Sequence, residues 1–356
     1  MRHIATIILS LIVGGTFLFS GFVKSVDPVG TSIFVEKYLA TYSLEMLMPW
    51  ALAIAVVLGA VELLLGLLLV AGAYRKQTAL CTALFLFVFT IITLLSATVL
   101  PIGDCGCFGD AVKLTPWETF VKNLVLLPMA VVLWLLCRKQ TANRYSIDVL
   151  IVAVLLSFGV NGVALRFLPL VDFLPYKEGV DLRAEVQRVR DAEDNAVRSV
   201  LCFENIATGE RVEYPADATD CWTDENLEYV DAYTVHDEID EMTFDDFRVY
   251  DADGVESTMS LLAREGSVVW LCVGDADALR GSRLRAVQDV VRNTPSAQIV
   301  VITSDDMTKV SSLLDTPCYA IDAMTLRSFM RASVGVVVIT DGVIDYKRDI
   351  RDYGVF

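Results

Sequence analysis

Two cysteines separated by a single glycine, in Pro101-Ile102-Gly103-Asp104-Cys105-Gly106-Cys107-Phe108-Gly109-Asp110, are the residues whose type and spacing most directly imply chemistry. Thiols this close can close a small disulfide ring, and Gly106 supplies the backbone freedom that such a ring requires. A strained ring is easily reduced, which suits reversible thiol–disulfide exchange better than permanent stapling. The alternative is a structural turn whose cysteines happen to be close. An oxidising, accessible loop favours exchange. Asp104 and Asp110 flank the pair and would raise a neighbouring thiol's pKa, so their expected role is to cap or order the loop.

The loop lies between strongly apolar runs. Of the 356 residues 54% are hydrophobic, and the mean hydropathy is +0.53. The excess sits in the first half, where residues 1–175 carry 11 Lys/Arg against 9 Asp/Glu; subtraction from the totals of 29 and 45 leaves 18 against 36 for residues 176–356. Five runs reach the roughly 20 apolar residues that a membrane helix needs: Ile4–Val23, Trp50–Ala73, Ala79–Leu100, Trp117–Leu136 and Ile147–Leu168. The bilayer is therefore an expected partner. Arg2, Arg75, Lys76, Arg138, Lys139 and Arg144 fall on one side of this pattern, which is then cytoplasmic. An odd number of spans places the cysteine loop and the acidic half outside. A cleaved leader is the competing reading of the first run, but the run continues through Gly21-Phe22-Val23 to Lys24 without a small-x-small site.

Within the spans, Glu62 is expected to face a bundle interior, as a proton relay or as a hydrogen bond between helices. Lys24, at the outer end of the first span, reads as snorkelling to the interface, with attraction of a thiolate or carboxylate as the alternative.

The acidic second half argues against nucleic acid as a partner, because phosphate binding needs clustered positive charge. Residues 176–195 read as a helical stalk, and short strands with a turn at Thr208-Gly209 follow to about Tyr250. After Gly266 the pattern becomes Val268–Val273 strand, Ala278–Arg292 helix, Ile299–Thr303 strand, Asp306–Leu314 helix, Cys318–Ile321 strand, Ala323–Arg331 helix, then Gly335–Thr340 and Val343–Lys347 around the hairpin turn Asp341-Gly342. That order is similar to the thioredoxin fold. A thioredoxin places Cys-x-x-Cys after the first of these strands, where this chain has Asp275-Ala276-Asp277-Ala278, and Val334 stands where the cis-proline would be. The domain is thus expected to dock or organise rather than to exchange disulfides. Cys202 and Cys221 share the outer side, and a structural disulfide between them is expected as one of two even alternatives. Cys81, Cys137, Cys272 and Cys318 read as buried or membrane thiols. The two histidines, His3 and His236, lie in opposite halves, so no metal site is expected.

Gly14-Gly15-Thr16-Phe17-Leu18-Phe19-Ser20-Gly21-Phe22-Val23-Lys24 with Asp27-Pro28-Val29-Gly30, then Tyr38-Leu39, Glu62 with Gly66, and Cys105-Gly106-Cys107-Phe108-Gly109-Asp110 occur in one order over about 140 residues. This resembles the DoxX/MauE superfamily of four-helix membrane proteins, in its MauE-like branch. Fusion to a fifth helix and an extracytoplasmic domain resembles a DoxX-type architecture of Bacteroidetes-type bacteria. The resemblance implies a multi-pass protein of the bacterial inner membrane, acting in disulfide formation or maturation of extracytoplasmic partners that carry thiols or a disulfide. The bundle is also similar to that of the vitamin K epoxide reductase group, whose loop cysteines pass electrons to a quinone; that makes quinone a candidate cofactor, although no second cysteine pair stands where it would meet one. The expected fold is a helical membrane bundle (residues 1–140), a fifth helix with its exit segment (141–175), an acidic linker with a small strand-rich region (176–260), and a thioredoxin-like α/β domain without CxxC (261–356). The expected function is thiol–disulfide exchange through Cys105 and Cys107. The alternatives are a non-catalytic scaffold presenting the distal domain and a subunit of a quinone-linked respiratory complex.

Overall fold

The computed structural model of the protein describes residues 2–99, 106–140, 145–169, 171–173, 175–236, 244 and 246–353. The chain divides into two compact units, Met1–Lys177 with Arg327–Gly335 and Arg348–Phe356, and Glu178–Leu326 with Val336–Lys347.

Among the described residues, five helical segments of 21 to 27 residues are long and apolar enough to cross a membrane. They are α1 (Arg2–Val26), a 3-10 segment Glu45–Trp50 continuing into α3 (Ala51–Ala71), α4 (Arg75–Thr98), α5 (Pro116–Cys137) and α6 (Ser146–Arg166). At 1.5 Å per residue even the shortest reaches the roughly 30 Å of a hydrocarbon core. Their outward faces stay apolar, with Ile8 and Leu11 of α1, Phe87 and Val88 of α4, and Val152 and Leu155 of α6 all exposed. A contiguous apolar surface of this kind is stable against lipid and not against water. Inside, Val13, Phe17, Leu69, Ala83, Leu86, Leu126, Ala130 and Leu133 form one core drawn from α1, α3, α4 and α5.

The unanticipated element is α2 (Pro28–Thr41), between the first two spans. Asp27-Pro28 ends the first span as expected, yet the same dipeptide starts a new helix. The Asp27 side chain caps it by accepting from the Gly30 amide at 2.8 Å, and Pro28 occupies the first turn, where its missing N–H costs nothing. The start of α5 is encoded in the same way: Thr115 and Glu118 form a reciprocal capping box ahead of Pro116.

The second half begins with α7 (Leu182–Ala196), followed by an antiparallel sheet of β1 (Val197–Asn205), β2 (Arg211–Pro215) and β3 (Leu227–His236) in the order β2-β1-β3. The α/β region follows with β4 (Val249–Tyr250), α8 (Thr258–Leu262), β5 (Ser267–Val273), α9 (Gly281–Asn293), β6 (Ile299–Thr303), α10 (Met307–Leu314), β7 (Cys318–Ile321), α11 (Ala323–Phe329), β8 (Val334–Thr340) and β9 (Val343–Asp349). Its six-stranded sheet runs β4-β7-β6-β5-β8-β9. Strands β5, β6 and β7 are parallel, and β4 runs antiparallel to β7, so the sheet is mixed. The continuous apolar runs of β6 and β8 are buried along their length, as strands covered on both faces must be. Asp341 and Gly342 both take positive φ, +51° and +94°, the pair of values a type I′ hairpin turn requires. This helical membrane part followed by a mixed α/β region is the expected fold class, and the element order after Gly266 matches the thioredoxin-like expectation.

One local expectation is corrected. Helix α9 starts at Gly281 and not Ala278, because Ala276–Ala278 forms a 3-10 turn whose cap, Asp275, accepts from the Asp277 amide at 2.8 Å. Cys202 and Cys221, for which a disulfide was one of two even alternatives, are described as free, buried thiols. Cys202 sits in β1 opposite Glu213 and Asp231, whereas the Cys221 thiol donates to the Ala218 carbonyl within its own turn.

Candidate functional site

The site is built where α1 and α3 touch. A Cβ on Gly21 would lie 2.1 Å from the Leu63 amide nitrogen, and one on Gly66 would lie 2.4 Å from that of Leu18. Only glycine allows the backbones so close, as at small-residue helix crossings in membranes. The approach brings Lys24 of α1 against Glu62 of α3, both about 95% buried. The Lys24 Nζ donates to Glu62 Oε2 at 2.7 Å and to Oε1 at 2.8 Å. Lys24 is therefore buried and paired with a carboxylate, the alternative to its snorkelling reading. A charge this deep is stable only with a partner, and the carboxylate supplies it.

Ser20, one turn before Lys24, links this ion pair to the cysteine loop. It accepts from Lys24 Nζ at 2.9 Å, and its hydroxyl lies 2.6 Å from both Glu62 Oε2 and the backbone carbonyl of Cys107. One hydroxyl proton thus faces two acceptors, the Glu62 carboxylate and the loop carbonyl. The next residue is held by its ring: Phe108 lies 5.4 Å from Phe19 between centroids, and the Lys122 ammonium sits 4.3 Å over its face. Gly106 takes φ +63°, and a Cβ there would fall 2.6 Å from the Phe34 ring, so both conformation and space demand glycine. The loop closes with the Gly109 amide donating to the Gly106 carbonyl at 3.1 Å.

A cavity of about 30 Å³ opens beside Cys107, lined among others by Ser20, Lys24, Glu62, Lys122 and Asn123. That volume holds water and is too small for a quinone ring, so no step is routed through a quinone here. Asp104 and Cys105 lie outside the described residues, as does the side chain of Asp110. The structure thus joins three of the sequence-predicted residues, Lys24, Glu62 and Cys107, and adds Ser20, Lys122 and Asn123. Lys122 had a sequence signal, a lone cation inside an apolar span; Ser20 had none, because a serine in a membrane helix ordinarily bonds to its own backbone.

In the α/β region, Asp275–Ala278 holds no thiol. Lys309 at 3.2 Å and Arg280 at 2.7 Å hold the Asp277 carboxyl below its usual range. Cys272 and Cys318 lie in β5 and β7; burial pushes both thiols up, that of Cys318 to about 11. Among the described residues no His, Cys, Asp or Glu cluster suits a metal ion.

These features define a multi-pass helical membrane protein with a C-terminal α/β region. Residues 1–136 match the family described as methylamine utilisation protein MauE, so the first four spans are similar to that family. Over 122 residues the chain is 29% identical to Protein TlpB of Flavobacterium psychrophilum, a stretch covering 33% of this chain and 29% of that protein. The chain thus spans less than a third of that relative. No solved structure matches.

Proposed function

We propose that this protein exchanges disulfides with extracytoplasmic protein partners through Cys105 and Cys107. It is an inner-membrane protein with a cytoplasmic N-terminus, and its α/β region presents or recruits the partner without a redox centre of its own. The observation that carries this reading is the anchoring of the Cys107 backbone on the buried Ser20–Lys24–Glu62 group, with the residue lining a small cavity that Lys24, Glu62 and Lys122 also line. A turn that merely closed a bundle would not need an ion pair beneath it, since burying two charges costs more than apolar packing of the same volume. The test is to trap the partner. A Cys105→Ser or Cys107→Ser variant should accumulate a mixed disulfide through the remaining cysteine, identified by mass spectrometry after acid quenching. No trapped partner with either variant would leave the scaffold reading, which the thiol-free Asp275–Ala278 turn favours.

A further inference from the structure

Helix α2, at 14 residues, is too short to span a bilayer. It presents three polar side chains instead: Asp27 at its cap, Ser32, and Glu36 one turn beyond Ser32. Each is met by an arginine from the far end of the sequence. Arg327 Nη1 donates to both carboxylate oxygens of Glu36, at 2.8 and 3.0 Å, and its Nη2 donates to Ser32 Oγ at 2.8 Å. Arg331 Nε donates to Asp27 Oδ2 at 3.0 Å, while Asp27 Oδ1 keeps the Gly30 amide that starts the helix. Arg331 Nη1 donates in turn to the Arg327 carbonyl at 2.6 Å, which ties the two arginines together. Both lie in the compact unit that holds the membrane bundle. The approach is close, since a Cβ on Gly30 would fall 2.8 Å from Arg331 Nη2. Only 4% of the Arg331 side chain is exposed, and a guanidinium so buried needs its carboxylate.

The same helix touches the cysteine loop. Its Phe34 ring occupies the space where a Cβ on Gly106 would lie, and Gly106 is the buried residue between the two loop cysteines. Resting on the exchange reading, we infer that Arg327 and Arg331 are positioning residues that latch α2 against the cysteine loop and so limit access to Cys107. The buried Arg331–Asp27 pair is the fixed part of this latch. The Arg327–Glu36 pair is partly exposed, and it is the part that can open without taking a charge out of the interior. Opening it frees the face of α2 that carries Ser32 and Glu36, and with it the Phe34 contact on the loop.

The test reads the loop directly. In the full chain carrying Cys105→Ser, reduced in detergent, iodoacetamide labelling of Cys107 is timed by mass spectrometry. Cys137, buried at the opposite end of α5 from the loop, serves as the internal reference. A rate limited by local opening follows the opening equilibrium. Arg327→Gln and Glu36→Gln should each speed Cys107 about three-fold or more and leave Cys137 unchanged. Gly30→Ala, which crowds Arg331 without removing a charge, should do the same. The swapped pair Arg327→Glu with Glu36→Arg should return the rate toward that of the parent. Unchanged Cys107 rates in both single variants, equal acceleration of Cys137, or no rescue by the swap would overturn the latch. Mixed-disulfide trapping is scored separately. A trapped partner with unchanged labelling sinks only the latch; faster labelling with no partner trapped in any variant sinks only the exchange reading.

Discussion

Cysteines in the two halves of this chain occupy opposite chemical settings. Cys107 is half-buried beside a small cavity with two lysines on its wall. Cys272 and Cys318 lie in strands of the α/β sheet, where burial holds them protonated. The α/β region has the element order in which a redox pair would be expected, and the turn that would carry it bears carboxylates instead. The membrane bundle, built from apolar helices, holds the ionisable constellation. Fold alone would direct attention to the α/β half; on the proposed reading the placement of charge directs it to the loop.

The sharpest way to break that contrast is to remove one member of the buried ion pair. Lys24→Met or Glu62→Gln leaves an uncompensated charge and should destabilise the bundle by about 3–5 kcal/mol. The double variant should recover part of the loss. Thermal unfolding in detergent measures both, and single variants as stable as the parent would mean that the pair does not hold α1 to α3.

Labelling sharpens the same contrast with a smaller effect. With Cys318 pushed to about 11, its thiolate fraction at pH 7 falls about two orders of magnitude below that of an ordinary thiol of pKa about 8.5. Folded, reduced protein should therefore take up iodoacetamide at Cys107 at least about 100-fold faster than at Cys318 or Cys272. Equal rates would remove the distinction between the two regions.

A third variant probes what brings the site together. Gly66→Ala places a methyl 2.4 Å from the Leu18 backbone, so α1 and α3 must separate. Overpacking of this kind costs about 1–3 kcal/mol. Gly15→Ala on the same α1, where nothing lies within 4 Å, should cost little. Similar losses for both would show that the crossing is not set by close approach.

These tests also mark what the sequence could disclose. The five spans were legible because about 20 consecutive apolar residues have few other uses. The boundaries of β6 and β7 agree with the structure residue for residue, since each is a short apolar run bounded by turn residues. Helix α2 was not legible: Pro28 reads as a stop, and α2 lacks a regular apolar stripe to reveal its period. Glu62 and Lys24 were each conspicuous as charges in or beside apolar runs, yet 38 residues separate them and nothing local announces their pairing. Pairing between helices depends on which faces meet, and that was set by Gly21 and Gly66 through close backbone contact. Ser20 became visible only once that packing was known, and Lys122, although conspicuous as a lone cation in an apolar span, could be assigned to the cavity only then.

The smallest expected effect lies at the turn that stands in place of a thioredoxin redox pair. Asp277 is held below its ordinary pKa by Lys309 and then Arg280, and Asp305 by the Ala276 amide and then that of Asp306. A carboxylate whose folded pKa is depressed stabilises the fold above its unfolded value near 3.9, and that contribution is lost as pH falls through the lower folded value. Stability should thus decline below about pH 4 with these two groups contributing. Asp277→Asn should lie below the parent at pH 6 and converge with it toward pH 3, as read by thermal unfolding of the α/β transition in the full chain. Both groups are solvent-exposed, so the gap should also shrink in high salt. A gap independent of pH would mean that Asp277 acts through packing and not charge. Convergence would show that this turn keeps an anion among cations, as a thiolate site would, while offering no sulfur to exchange.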